Sequence, residues 1–252
     1  MHKTLFAALT ALCLFAPTAH AFTMPEDEAA AQFVTSNVIA TFYHELGHAL
    51  IDVLQFPVLG REEDAADALS AYLTHQIWEE DSAAIMVADT ANAYLMYSYE
   101  AEENGYETPY WDEHSLDLQR YYNLVCLFYG ADPAARGDFV TEFELPENRA
   151  ERCEAEYAQV DQAWGTLLEV AEYKQGAAGL VMQGDGNDPI AAILAEEVSD
   201  FNASYSLPTE VLVEVAPCGQ ANAFYHYDTS SITICTEYAE DLARLYDTQY
   251  AE

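Results

Sequence analysis

The chain predicts a mostly helical α+β fold, on three observations. Apolar residues recur at helical spacing through long stretches between residues 28 and 173. After residue 210 the texture changes: "EVLVEVAPCG", "NAFYHY" and "SSITICTEY" are β-branched and aromatic, in short alternations separated by turn residues. With 252 residues, 51% of them hydrophobic, the chain can bury one sizeable core or two small ones, and it shows no internal repeat. One domain over residues 22–252 is the simplest account.

The elements follow in order. The first 21 residues read as a signal peptide. His2 and Lys3 make a basic start, "TLFAALTALCLFAPT" is apolar but too short to span a membrane, and Ala19-His20-Ala21 is a cleavage signal. Leu12 stands where a lipid anchor at Cys13 needs a small residue, so no membrane anchor is expected. The mature chain is expected to be exported, periplasmic or secreted. Residues 28–56 read as one long, strongly amphipathic helix, with Phe42, Leu46, Ala49, Leu50 and Val53 at helical spacing; Pro57 and Gly60 end it. Residues 61–80 read as a second helix with Leu69, Leu73 and Ile77 on one face. A third runs from Ser82 to Glu103 and ends at the Asn104-Gly105 turn signal. "SLDLQRYYNLVCLFYG" is a helix stopped by Gly130 and Pro133. Pro146 starts another that runs to about Tyr173. "QGAAGLVMQGDGNDP" reads as a Gly-rich loop, and its acidic "DGND" lacks the ligand spacing of a calcium loop. A small sheet or hairpin and a short final helix close the chain.

Composition sets further bounds. There are 44 acidic residues against 8 basic, a net charge of −36. Such a field repels nucleic acid and anionic membrane surfaces. The acids are spread along the chain, which reads as a solvated surface. Without Cys13 four cysteines remain. An even count in an oxidising compartment points to two disulfides. Three pairings exist; the local loops favour Cys126–Cys153 and Cys218–Cys235, and the spacings do not match a zinc cluster. Nothing in the sequence speaks to an oligomeric state.

The chemistry concentrates in "FYHELGHALIDVLQFPVLGREEDAADALSAYL". His44 and His48 are one helical turn apart, so both imidazoles leave the same face. That arrangement delivers two nitrogens to one zinc ion, and Glu45 stands beside them as a base for water. Catalytic zinc takes three protein ligands and keeps an open position. Glu63, on the second helix, is the preferred third ligand. Glu62 and Asp64 are rivals, but only Glu63 is followed one full turn later by Asp67, placed to orient a ligand histidine. Gly47 leaves room for close packing beside the metal.

H-E-x-x-H followed by E-x-x-x-D resembles the gluzincin metallopeptidases. The longer string "HELGHALIDVLQFPVLGREEDAADALSAYL", with "WDEHSLDLQRYYNLVCLFYG", "LPENRAERCEAEY" and "CGQANAFYHYDTSSITICTEYAEDL", is similar to a bacterial family of metallopeptidases of unassigned substrate. The resemblance covers most of the mature chain and implies a zincin-like fold and a zinc site. "DEHSLDLQR" further resembles the segment that neprilysin-type enzymes place opposite the zinc. By that likeness His114 stabilises the oxyanion, Asp112 orients it, and Arg120 holds a substrate carbonyl. Asn222-Ala223 resembles the pair on the edge strand that binds substrate backbone. The order departs from that pattern, because here the strand follows the zinc helix, which puts the role of Asn222 in question.

Three functions compete on these residues. The leading one is a zinc endopeptidase acting on a peptide or protein substrate. The second is a non-catalytic zinc-dependent protein that holds peptides in the same cleft. The third is a zinc hydrolase acting on a non-peptide amide. A binding protein has no need of Glu45, and peptide hydrolysis separates the first two.

Overall fold

The structure is a computed structural model that describes residues 22–172, 174, 177–184 and 186–250. The expected signal peptide lies outside these residues, as do Gln175, Gly176 and Asp185 of the Gly-rich segment. The fold is mostly helical α+β, with a four-stranded sheet towards the C-terminus.

Helix α1 (Glu28–Val53) is the axis of the molecule. It starts at Asp27, whose carboxylate accepts the Ala30 N–H at 2.9 Å, satisfying an orphan donor of the first turn. It packs on α2 (Glu62–Ile77), α3 (Glu80–Glu103), α8 (Pro189–Ser204), α9 (Thr236–Tyr250) and two strands. The expected amphipathic stripe is therefore not what forms: α1 is buried on nearly every face, polar Ser36, Asn37, His44, Glu45 and His48 included. A helix surrounded on all sides has no solvent face to reserve for polar residues, so its buried polar groups need partners. Tyr43 shows this: its hydroxyl donates to Glu197 of α8 and accepts the Trp78 indole N–H at 3.0 Å.

Helices α4 (Asp117–Ala131), α5 (Gly137–Glu142) and α6 (Glu147–Val160) build a smaller cluster against α3. The Cys126–Cys153 disulfide joins α4 to α6. Gly130 lies so close to α6 that a Cβ there would sit 2.2 Å from the Cys153 carbonyl oxygen. Ala is the better helix former by about 1 kcal/mol, so loose packing would make Gly130→Ala stabilising. The backbone contact reverses the sign. Gly130→Ala is expected to lower stability by about 1–3 kcal/mol, read by chemical denaturation; a gain would show that the two helices have room to spare.

The helix expected from Pro146 to about Tyr173 is interrupted. A π-helical turn at Asp161–Gly165 separates α6 from α7 (Thr166–Val170). The segment expected as loop contains strand β1 (Leu180–Gln183), and α8 follows it unannounced. Glycines on both sides of β1 mask a four-residue strand. Asn202 of α8 completes it by bonding both the N–H and the carbonyl of Leu180 at 2.8 Å. The final helix, α9, is longer than expected.

Strands β1, β2 (Val211–Ala216) and β4 (Ser231–Cys235) are parallel, with α8 crossing between β1 and β2. Strand β3 (Ala223–His226) runs antiparallel to β4 and ends the sheet, in the order β1-β2-β4-β3. Every residue of β4 is buried, so the polar Ser231 and Thr233 of the alternating "SITIC" lie inside with its isoleucines. The Cys218–Cys235 disulfide closes the segment that carries β3. Both expected pairings are thus present, as suits an oxidising compartment. Among the described residues no helix is long and apolar enough to cross a membrane.

Candidate metal centre

Helix α1 holds His44 and His48 one turn apart and aims their Nε2 atoms at a common point, 3.3 Å from each other. Helix α2 meets α1 at Gly47, where a Cβ would come within 2.9 Å of Ala66 Cα. That close approach brings in Glu63, whose Oε2 lies 3.1 Å from His44 Nε2 and 3.3 Å from His48 Nε2. Ligand atoms bound tetrahedrally at zinc-like distances are spaced about 3.3 Å apart. Glu62 and Asp64 point elsewhere: Glu62 to the far side of His48, and Asp64 to the Ser115 hydroxyl at 2.6 Å.

The remaining ring nitrogens are each held by a carboxylate. His44 Nδ1 lies 2.7 Å from Asp67 Oδ1, and His48 Nδ1 lies 2.9 Å from Glu62 Oε1. A carboxylate at Nδ1 keeps the proton there and leaves the Nε2 lone pair free. Two such lone pairs and the Glu63 oxygen then converge, and they repel one another unless a cation lies among them. Burial alone would lower both imidazoles, yet the surrounding carboxylates raise them, His48 to about 9. Burial would likewise raise Glu63, but the three imidazoles around it, His114, His44 and His48, hold it well below the usual carboxylate range. The site favours positive charge. Two imidazoles and one carboxylate suit a transition-metal dication.

Glu45 is buried and opens into a cleft of about 250 Å³ at this point. Burial raises its carboxyl above the usual range, against the pull of His44 and His48. His114 stands on the loop between α3 and α4, with Nε2 at 2.9 Å from Glu63 Oε2. Asp112 accepts the His114 backbone N–H at 2.8 Å and lies 3.2 Å from its Nδ1. Asn222 and Ala223 lie along the opposite side, where β3 forms the edge of the sheet.

Arg120 is the exception. It does not line the cleft. Its guanidinium grips Asp67 with two hydrogen bonds, at 2.8 and 2.7 Å, and stacks 4.4 Å over the Tyr94 ring. Two of its three guanidinium nitrogens are thus engaged behind His44, on the carboxylate that lies 2.7 Å from His44 Nδ1.

Sequence reasoning missed Glu113, Phe224, Tyr225 and Tyr227, which also line the cleft. Tyr227 donates its hydroxyl to Glu62, the partner of His48. No motif signals this, because the contact spans 165 residues. The alternation in "NAFYHY" indicates only which side chains share a face.

Among the described residues two further groups have metal-ligand proximity, and neither competes. Cys218 and Cys235 are joined as a disulfide, and the group of Glu63, Glu113 and His114 shares Glu63 with the main site. No curated protein and no solved structure matches the chain. A family model matches residues 13–168 and 188–252, which hold every residue of the His44–His48–Glu63 group and both sides of the cleft. The chain therefore belongs to the family described as "Putative metallopeptidase", which implies a metal and a peptide or protein substrate.

Proposed function

We propose that the protein is a zinc-dependent endopeptidase of gluzincin type, exported after removal of residues 1–21, with residues 22–252 forming its one domain. The observation that carries this reading is the convergence of His44 Nε2, His48 Nε2 and Glu63 Oε2 beside a buried Glu45. His44, His48 and Glu63 would hold zinc, which would supply Lewis-acid chemistry to a water and a carbonyl there.

The chain's own groups do the rest. Glu45 takes the proton of the attacking water and passes it to the leaving amine. Its raised affinity for a proton suits both transfers. His114, oriented by Asp112, donates from Nε2 to the carbonyl oxygen as negative charge grows there. The outer strand β3, with Asn222 and Ala223 at its start, lies alongside an extended substrate backbone. Asp67 and Glu62 hold the two ligand imidazoles in place, and Arg120 acts through Asp67.

The test is to incubate the zinc-loaded mature chain with a mixed peptide library and identify new termini by mass spectrometry. Internal cleavage that stops on chelation and returns with zinc supports the reading; intact peptides sink it. The orienting role of Glu62 has its own expected result. Glu62→Ala lowers metal affinity roughly 10- to 100-fold in chelator competition. An unchanged affinity would show that Glu62 does not hold His48.

A further inference from the structure

Residues 104–116, between α3 and α4, carry three of the exposed aromatic rings among the described residues. Tyr106, Tyr110 and Trp111 are 70%, 78% and 73% exposed. Large aromatic side chains left in water at one place indicate a binding surface. This one is continuous with the cleft: Glu113 and His114, two and three residues beyond Trp111, line it directly. The segment is also anchored. Asp112 donates its N–H to the Pro109 carbonyl at 3.0 Å, and Arg61 reaches the His114 carbonyl at 3.3 Å.

The chemistry of the surface selects its occupant. Glu107, Asp112 and Glu113 share this short segment with the rings, and all three are exposed. Asp112 is occupied by His114, whereas Glu113, within 4.8 Å of the His114 and Glu63 ligand atoms, makes no ion pair or hydrogen bond among the described residues. Ring faces beside a free carboxylate suit a cationic side chain, which gains cation–π attraction and a charge partner together. An acidic segment would meet repulsion here and from the net charge of −36.

We propose that the aromatic loop with Trp111 and Glu113 selects basic polypeptides, seating a lysine or arginine side chain beside the bond at the metal centre. This rests on the peptidase reading, and it predicts that cleavage sites cluster next to basic residues.

The experiment uses the zinc-loaded Glu45→Gln chain, which binds without turnover. Fluorescein-labelled peptides of equal length carry arginine, serine or glutamate at the same positions, and binding is read by anisotropy. The arginine peptide is expected to bind about 10-fold tighter than the serine peptide. Trp111→Ala and Glu113→Gln, each added to Glu45→Gln, should cost about 2- to 5-fold for the arginine peptide alone. Glu196→Gln, on the exposed face of α8, makes the same change in net charge and should cost nothing. Equal binding of all three peptides overturns the proposal. So does a Glu196→Gln loss as large as that of Glu113→Gln, since the selection would then belong to the diffuse field. Hydrolysis by the wild-type chain keeps the two ideas apart. Cleavage without preference for basic peptides defeats the selection and leaves the peptidase. Selective binding with no cleavage of any peptide by wild type defeats the peptidase reading and leaves the loop a receptor for basic segments.

Discussion

Glu45→Gln keeps the fold and the metal and loses turnover by roughly 10²- to 10⁴-fold, the contribution expected of a positioned base. The substitution changes almost nothing in shape. Glu45 is 7% exposed, and Gln has nearly its size and shape. What is lost is an oxygen able to accept a proton beside the metal centre. His114→Ala makes a useful contrast. It removes a donor and leaves the base, so it should cost roughly 10²- to 10³-fold. The two variants separate by pH. Loss of the base removes the acidic limb of the rate profile, whereas loss of the donor lowers the whole profile and leaves that limb in place. Metal content, circular dichroism and peptide turnover are the measurements. If Glu45→Gln cleaves as fast as wild type, the activity belongs to another site or another protein.

Glu63→Ala loses the metal itself. Its Oε2 lies within 3.3 Å of both His44 Nε2 and His48 Nε2. Removing an orienting partner already costs roughly 10- to 100-fold in metal affinity, so removing a ligand should cost more than about 100-fold. Glu63 also neutralises a cluster of three imidazoles, His44, His48 and His114. Without it the site should hold neither the metal nor a well-placed His114, and turnover falls with metal content. Elemental analysis after dialysis against a weak chelator gives the result. Full zinc occupancy in Glu63→Ala would pass the third-ligand role to another acid. Glu62→Ala is the control: it leaves the two Nε2 atoms and Glu63 in place and weakens binding less.

Much of the site was legible because its spacing is local. His44, Glu45 and His48 share one helix, and helical geometry alone places the two imidazoles on one face. Glu63 and Asp67 repeat that logic on α2, so the proposed third ligand and the carboxylate that holds His44 Nδ1 are also one turn apart. The disulfide pairings were legible for a similar reason, since each joins neighbouring segments of the chain. Helices α1 to α4 announced themselves by periodicity and by breakers at Pro57, Gly60 and Asn104-Gly105.

The rest is non-local. Strand β1 was hidden by its glycines and is held by Asn202, which lies 22 residues away from Leu180. Helix α8 became necessary only once β1 and β2 lay parallel, because a parallel pair needs a crossover. Arg120 sits at the spacing expected of a substrate clamp. Which carboxylate takes its fork is settled by the packing of α4 against α2, and that carboxylate is Asp67. The part of Tyr227 in the site depends likewise on where the sheet edge meets α1. The sequence by itself determined the donor set, because two helical turns write it into adjacent positions. Only the tertiary structure decided what surrounds that set, because burial and ion pairing depend on which distant segments the core brings together.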